Sequence, residues 1–186
     1  MSAAAAPHGT VVAVARDSGH HFTKPVRDEI TLVEHHGVEG DAHAGATVRH
    51  LHQVRKDATA PNLRQVHLMH AELFDQVAAD GFAVDPGTLG ENVTTRGVDL
   101  LGLPEGTRIR LGADAVVELT GLRTPCNQIN GVQQGLMKRL VEVDDDGTVR
   151  RLSGVMGVVA TGGVVRAGDA IEIELPDAPH RALGPV

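Results

Sequence analysis

Cys126 is the only thiol in the chain, and it stands within GLRTPCNQING, directly after a proline and at the end of an apolar run. Pro125 disfavours helical geometry at Thr124, so the chain leaves the preceding strand before a following helix begins. Asn127 or Asn130 is then available as that helix's N-cap. The partial positive charge of a helix N-terminus, together with Arg123 three residues away, favours a thiolate at Cys126. A thiolate is a nucleophile, a sulfur acceptor and a soft-metal ligand. The plainer role of a single cysteine is that of a small buried apolar side chain.

Three further stretches carry chemistry-bearing residues. GVEGDAHAG at 37–45 uses glycines to make tight turns around Asp41 and His43, and such a loop can present a carboxylate and an imidazole to a pocket. GTLGENVTTRG at 87–97 places Glu91 and Asn92 between a glycine turn and a strand, where either can bind a ligand. Arg64, at the start of RQVHLM, can supply a bidentate anion clamp. Each has a purely structural counterpart: Asp41 bonding its own backbone, Asn92 capping a turn, Arg64 in a surface ion pair.

The eleven histidines include dense pairs at His20 and His21, His35 and His36, His50 and His52, and His67 and His70. No HExxH run occurs among them, and one cysteine excludes every zinc site that needs two thiolates. Walker A, GxSxG and strand-linked GxGxxG sequences do not occur either, which removes the common nucleotide and serine-hydrolase readings.

These residues must be positioned mainly by strands. Short β segments are expected at 10–18, 28–37, 64–69, 91–95, 106–112, 115–122, 154–163 and 169–175, punctuated by Gly, Pro and Asp. Two helices interrupt them. HAELFDQVAADG puts Leu73, Phe74, Val77 and Ala78 on one face, and NGVQQGLMKRLVEV does the same with Val132, Leu136, Met137, Leu140 and Val141. The fold class is mainly β with a few helices, an α+β arrangement built on a curled barrel. The domain occupies residues 10–175, with a flexible lead at 1–9 and a flexible Pro-rich tail at 176–186.

At 186 residues the chain suits one domain, and with 41% hydrophobic but only 2% aromatic residues its core must be aliphatic. The lack of Trp and Tyr removes base-stacking platforms, and a net charge of -7 argues against nucleic acid or an anionic membrane as partner. With no signal-like or membrane-spanning run, the expected location is cytoplasmic.

Taken together, GVEGDAHAG, RQVHLMHAELF, GTLGENVTTRGVDLLGLPEGTRIRLG, VVELTGLRTPCNQI and GVMGVVATGGVVRAGDAIEI resemble the MOSC domain, named for the C-terminal part of molybdenum cofactor sulfurase. The resemblance runs in order over residues 10–175 and implies a MOSC-type β-barrel. It also implies the molybdenum cofactor, a molybdopterin, with Cys126 as thiolate ligand to the metal and Asp41 and His43 as catalytic neighbours. Arg49, Arg64 and Arg123 are the candidates for its phosphate, with Glu91, Asn92, Asn127 and Gln128 as further contacts. The implied activity is reduction of N-hydroxylated small molecules, with electrons from a separate donor. The alternatives are a sulfur carrier holding a persulfide on Cys126, charged by a separate cysteine desulfurase, and a non-catalytic binding module.

Overall fold

The computed structural model describes residues 8–49 and 54–186. Thirteen strands are formed among them, and seven close into a barrel in the order β13 (Ala170–Glu174), β7 (Arg108–Leu111), β8 (Ala115–Leu122), β11 (Val155–Thr161), β5 (Val66–His70), β6 (Val93–Arg96) and β1 (Gly9–Ala15). β1 returns to β13 through Gly9↔Ile171 and Thr10↔Ala170, and this pairing shuts the ring. Each neighbouring pair is antiparallel except β5 and β6. Parallel neighbours need a crossover connection, and here it is helix α1 (Ala71–Ala79) with the loop that leads to Asn92.

Alternation along the strands explains the two sides of the barrel wall. Val66 and Leu68 of β5 join Val14, Val93, Ile109, Val117, Leu119, Val155 and Ile171 in one buried aliphatic cluster drawn from all seven strands. Met69 belongs to a second cluster with Leu73, Phe74 and Val77 of α1 and with Ile129, Leu136 and Leu140. His67 and Met69 therefore look outward from the barrel, toward the layer that carries α1 and the Cys126 segment.

The second expected helix is broken into pieces. A single turn, α2 (Ile129–Val132), is followed by a 3-10 stretch at Leu136–Leu140, and then by β9 (Val141–Val143) paired with β10 (Val149–Arg151). Gly135 sits at φ 90, a conformation that stops a right-handed helix. Asn130 Oδ1 accepts the backbone N–H groups of Gly135 and Met137, which draws those donors away from any helical ladder. The apolar spacing reports burial correctly, since Leu136 and Leu140 are fully buried, but the backbone between them is not α-helical.

The C-terminal segment, expected to be flexible, lies against the barrel. Leu183 is buried in the barrel cluster, Ala182 bridges Pro104, and Pro185 bridges Leu122. Of the expected N-terminal lead, residues 1–7 lie outside the described residues. His8 and Gly9 are fixed, because the His8 N–H donates to the Ile171 carbonyl at 2.8 Å and Gly9 opens β1.

Candidate functional site

Asp41 is a buried carboxylate held from several sides. Its Oδ2 lies 2.8 Å from Lys24 Nζ and accepts from Asn92 Nδ2 at 3.0 Å, while its Oδ1 accepts the His43 N–H at 2.9 Å and faces His43 Nδ1 at 3.3 Å. Burial alone would raise the Asp41 carboxyl, but the His43 hydrogen bond and the Lys24 ammonium outweigh it and hold the group below the ordinary carboxylate range. For Lys24 the balance tips the other way. Its burial lowers the ammonium's hold on its proton more than the nearby Asp41 and Glu91 charges strengthen it.

Asn92 ties three segments together at this point. Besides Asp41, its Nδ2 donates to the Ala15 carbonyl at 3.2 Å, and its Oδ1 accepts the His67 N–H at 3.1 Å. Glu91 beside it is fully buried and accepts from the N–H groups of Gly87 and Leu89 and from the Thr94 hydroxyl. Burial raises its carboxyl despite these donors. Its place is thus to hold the 87–91 turn shut from beneath.

Above this layer opens a cleft of about 760 Å3. His43, Arg64, Asn92, Arg123, Cys126 and Gln128 line it, so four segments separated in sequence meet there. Asp41 stands behind Lys24 and His43, Glu91 lies beneath the floor, Asn127 is turned to solvent, and Arg49 is exposed outside the cleft walls. His50 and His52 lie outside the described residues. Sequence reasoning missed Lys24 altogether, whose only local sign is a cation placed just before Pro25; it also missed Phe22, which the Arg123 guanidinium covers at 5.4 Å from the ring centroid.

Cys126 is partly exposed at the cleft, and its Sγ meets Gln128 Oε1 at 3.5 Å. The helix after it differs from expectation: Gln128 takes the N-cap position with no side-chain cap, and α2 is one turn long. One turn sums too few peptide dipoles to act strongly, so the positive influence on the sulfur comes from Arg123. Desolvation weakens the Arg123 guanidinium's hold on its proton, and the charge of Cys126 opposes that effect.

Two guanidinium atoms in the cleft walls are buried without a hydrogen-bond partner among the described residues, Arg64 Nε and Arg123 Nη1. Arg64 also donates through Nη2 to the Val186 carbonyl. His67, fully buried, has Nε2 at 2.8 Å from the Ser153 carbonyl; burial and the Arg123 charge keep its imidazole neutral. Unpaired cationic donors beside a soft sulfur suit an anion joined to a soft metal centre. Among the described residues, no group of three or more His, Cys, Asp and Glu is placed to hold a metal ion by itself.

A second cleft, of about 690 Å3, lies behind the first and is lined by His70, Glu72, Asp99, Leu122 and Leu152 among others. Leu122 faces this second cleft while Arg123 faces the first, and His70 and His67 divide in the same way.

Residues 34–172 match the family model described as MOSC domain. The chain belongs to the MOSC domain family. This family is associated with molybdenum cofactor binding. Solved structures share the fold of this MOSC chain. The YUAD protein from Bacillus subtilis superposes with a TM-score of 0.74 at 22% identity, over 91% of this chain and 97% of that one. YiiM from Escherichia coli gives 0.60 at 18% identity, covering 92% and 73%, and YiiM from Geobacillus stearothermophilus gives 0.63 at 16%, covering 93% and 77%. No curated protein matches the sequence. No described helix is long and apolar enough to cross a membrane.

Proposed function

We propose that this MOSC protein binds the molybdenum cofactor in the Cys126 cleft, with Cys126 as thiolate ligand to molybdenum, and reduces N-hydroxylated small molecules. The observation that carries this reading is the pair of buried guanidinium atoms without a hydrogen-bond partner among the described residues, Arg64 Nε and Arg123 Nη1, in the same cleft as the chain's only thiol. Arg64 and Arg123 would hold the cofactor's phosphate, and Asn92 and Gln128 offer amide groups to its pterin edge. When bound, the cofactor would supply a redox centre that passes electrons from a separate donor to the substrate's N–O bond. The protein's own part is to orient the substrate against that centre and to provide a proton for the departing oxygen.

Expression in a host that makes the cofactor, followed by elemental analysis and pterin fluorescence, tests this. Molybdenum and pterin should co-purify with the wild type, and Cys126→Ala should lose molybdenum. Metal-free wild type, under conditions that load a control molybdoenzyme, would overturn the reading.

A second reading rests on the partial exposure of Cys126 together with the absence of any other cysteine from the sequence. Its thiolate would attack the terminal sulfur of a desulfurase persulfide, taking that sulfur and releasing the donor thiolate, and no neighbouring cysteine could then resolve the product into a disulfide. Incubation with a cysteine desulfurase and free cysteine should add about 32 Da, one sulfur atom, to wild type but not to Cys126→Ala. An unmodified wild type would remove this reading.

A further inference from the structure

Reduction of an N-hydroxylated compound consumes protons as well as electrons. In balanced form, R–NH–OH takes two electrons and two protons and yields R–NH2 and water, as the N–O bond breaks. Hydroxide leaves poorly, so a proton must reach the departing oxygen as that bond opens. The cleft walls are rich in cations, but the guanidiniums of Arg64 and Arg123 do not release protons at working pH. His67 is held neutral with its Nε2 on a carbonyl, and His21 is tied to Asp17 at 2.5 Å. His43 shares the Asp41 carboxylate at 3.3 Å but is 30% exposed, and His20 packs edge-on against its ring, so both lie nearer to water than Lys24 does. Lys56 is exposed at the cleft mouth.

Lys24 differs from all of these. It lines the cleft, its side chain is only 5% exposed, and its ammonium is fixed by a carboxylate that is itself held from several directions. We propose that Lys24 is the proton donor of the cleft, delivering its proton to the departing oxygen, and that Asp41 is the positioning residue that aims it. This rests on the reductase reading above. The second proton, to the amine nitrogen, comes from water, and water then restores the Lys24 ammonium through the open cleft. The electron pair comes from a low-potential external donor, which reduced methyl viologen represents in the assay. The charged groups that face Lys24 are Asp41, Glu91 and Arg123, so its proton affinity is set by two acids, one base and burial.

The chain has three lysines, Lys24, Lys56 and Lys138, which makes the amine state of each readable by mass spectrometry after brief acylation. In the cofactor-free protein, acylation of Lys24 followed against pH should reach half its own plateau rate at a lower pH than a free lysine side chain does, because burial favours the amine that has shed its proton. A Lys24 whose half-plateau lies at or above that of a free lysine overturns the proposal, with or without cofactor. In protein loaded with molybdenum and assayed on N-phenylhydroxylamine, Lys24→Arg keeps the ion pair to Asp41 but cannot give up its proton. Its kcat should fall about 100-fold or more, with molybdenum content and KM unchanged. A kcat within threefold of wild type overturns the proposal, whereas a purely structural role would be rescued by arginine. Wild type that carries no molybdenum removes the cofactor reading instead, and the acylation result then decides on Lys24 alone.

Discussion

Lys24 Nζ and Asp41 Oδ2 form an ion pair at 2.8 Å, with side chains 5% and 1% exposed. Removing one charge from such a pair leaves the other buried and uncompensated. Asp41→Asn should therefore destabilise the protein by about 3–5 kcal/mol in urea unfolding, and adding Lys24→Met in that background should recover much of the loss. The folded Asp41 carboxyl is held below its unfolded value, so its contribution is complete at neutral pH. It is lost as the pH falls through about 4 and below.

Arg123 should show the opposite relation between stability and function. Its Nη1 is buried without a partner among the described residues, so Arg123→Leu should leave Tm unchanged or raise it. The same substitution removes a charge-assisted anchor worth about 1.5–3 kcal/mol, so molybdenum and pterin retained after dialysis should drop about 10- to 100-fold. A variant that is both unstable and fully loaded would contradict the assignment of Arg123 to an anionic ligand.

Stability should also fall in mild acid because of His67 and His70, both held below the ordinary histidine value, chiefly by burial. Below about pH 6.5 the unfolded chain takes up protons that the folded chain refuses. Stability is then lost by up to about 1.4 kcal/mol per pH unit for each such group, until the folded value is reached. Urea unfolding of His67→Gln between pH 7 and 5 should show a shallower slope than wild type.

Gly154 joins the barrel to the cleft, for its carbonyl accepts the Arg123 N–H at 3.0 Å and its φ is +85. A Cβ at this position would stand 2.2 Å from the Leu68 carbonyl oxygen and 3.1 Å from His67 Nε2. Gly154→Ala should cost about 2 kcal/mol or more from the left-handed backbone alone, with the steric clash added. A thermal shift below one degree would contradict this.

Most barrel strands are legible in the sequence because their inward residues alternate with polar ones, as in RIRL of β7 and AIEIE of β13, which pair with Ile171 opposite Leu111. The failures share a cause. The stretch from Asn130 to Val143 has helical apolar spacing, yet Gly135 and the Asn130 side chain decide its backbone, and spacing reports burial without reporting conformation. At the site, His43, Asn92 and Cys126 could be singled out because glycine turns and the Pro-Cys step mark them locally, and Arg64 because it opens the expected strand RQVHLM. Arg49 is marked only by its charge and stands outside the cleft. Lys24 carries no local mark: its importance comes from a carboxylate 17 positions on, a relationship that exists only once the barrel has formed.

The pairing of β1 with β13 also bears on how the molecule reaches its shape. Gly9 meets Ile171, so the ring cannot close until nearly the whole described chain is available, and a loop of that length is slow to find its ends. Until then the N-terminal half of β1 presents an unpaired edge, while its far end is held by Val14↔Arg27 and Ala15↔Val26, and that open half is a template for the wrong neighbour as much as for β13. The seam itself is two residue pairs long, with flanking hydrogen bonds from His8 to Ile171 and from Val11 to Asp169. During synthesis the Cys126 segment is therefore made before the barrel can be sealed. The last contact to form is also the narrowest, and its amides should be among the first in the ring to exchange with deuterium.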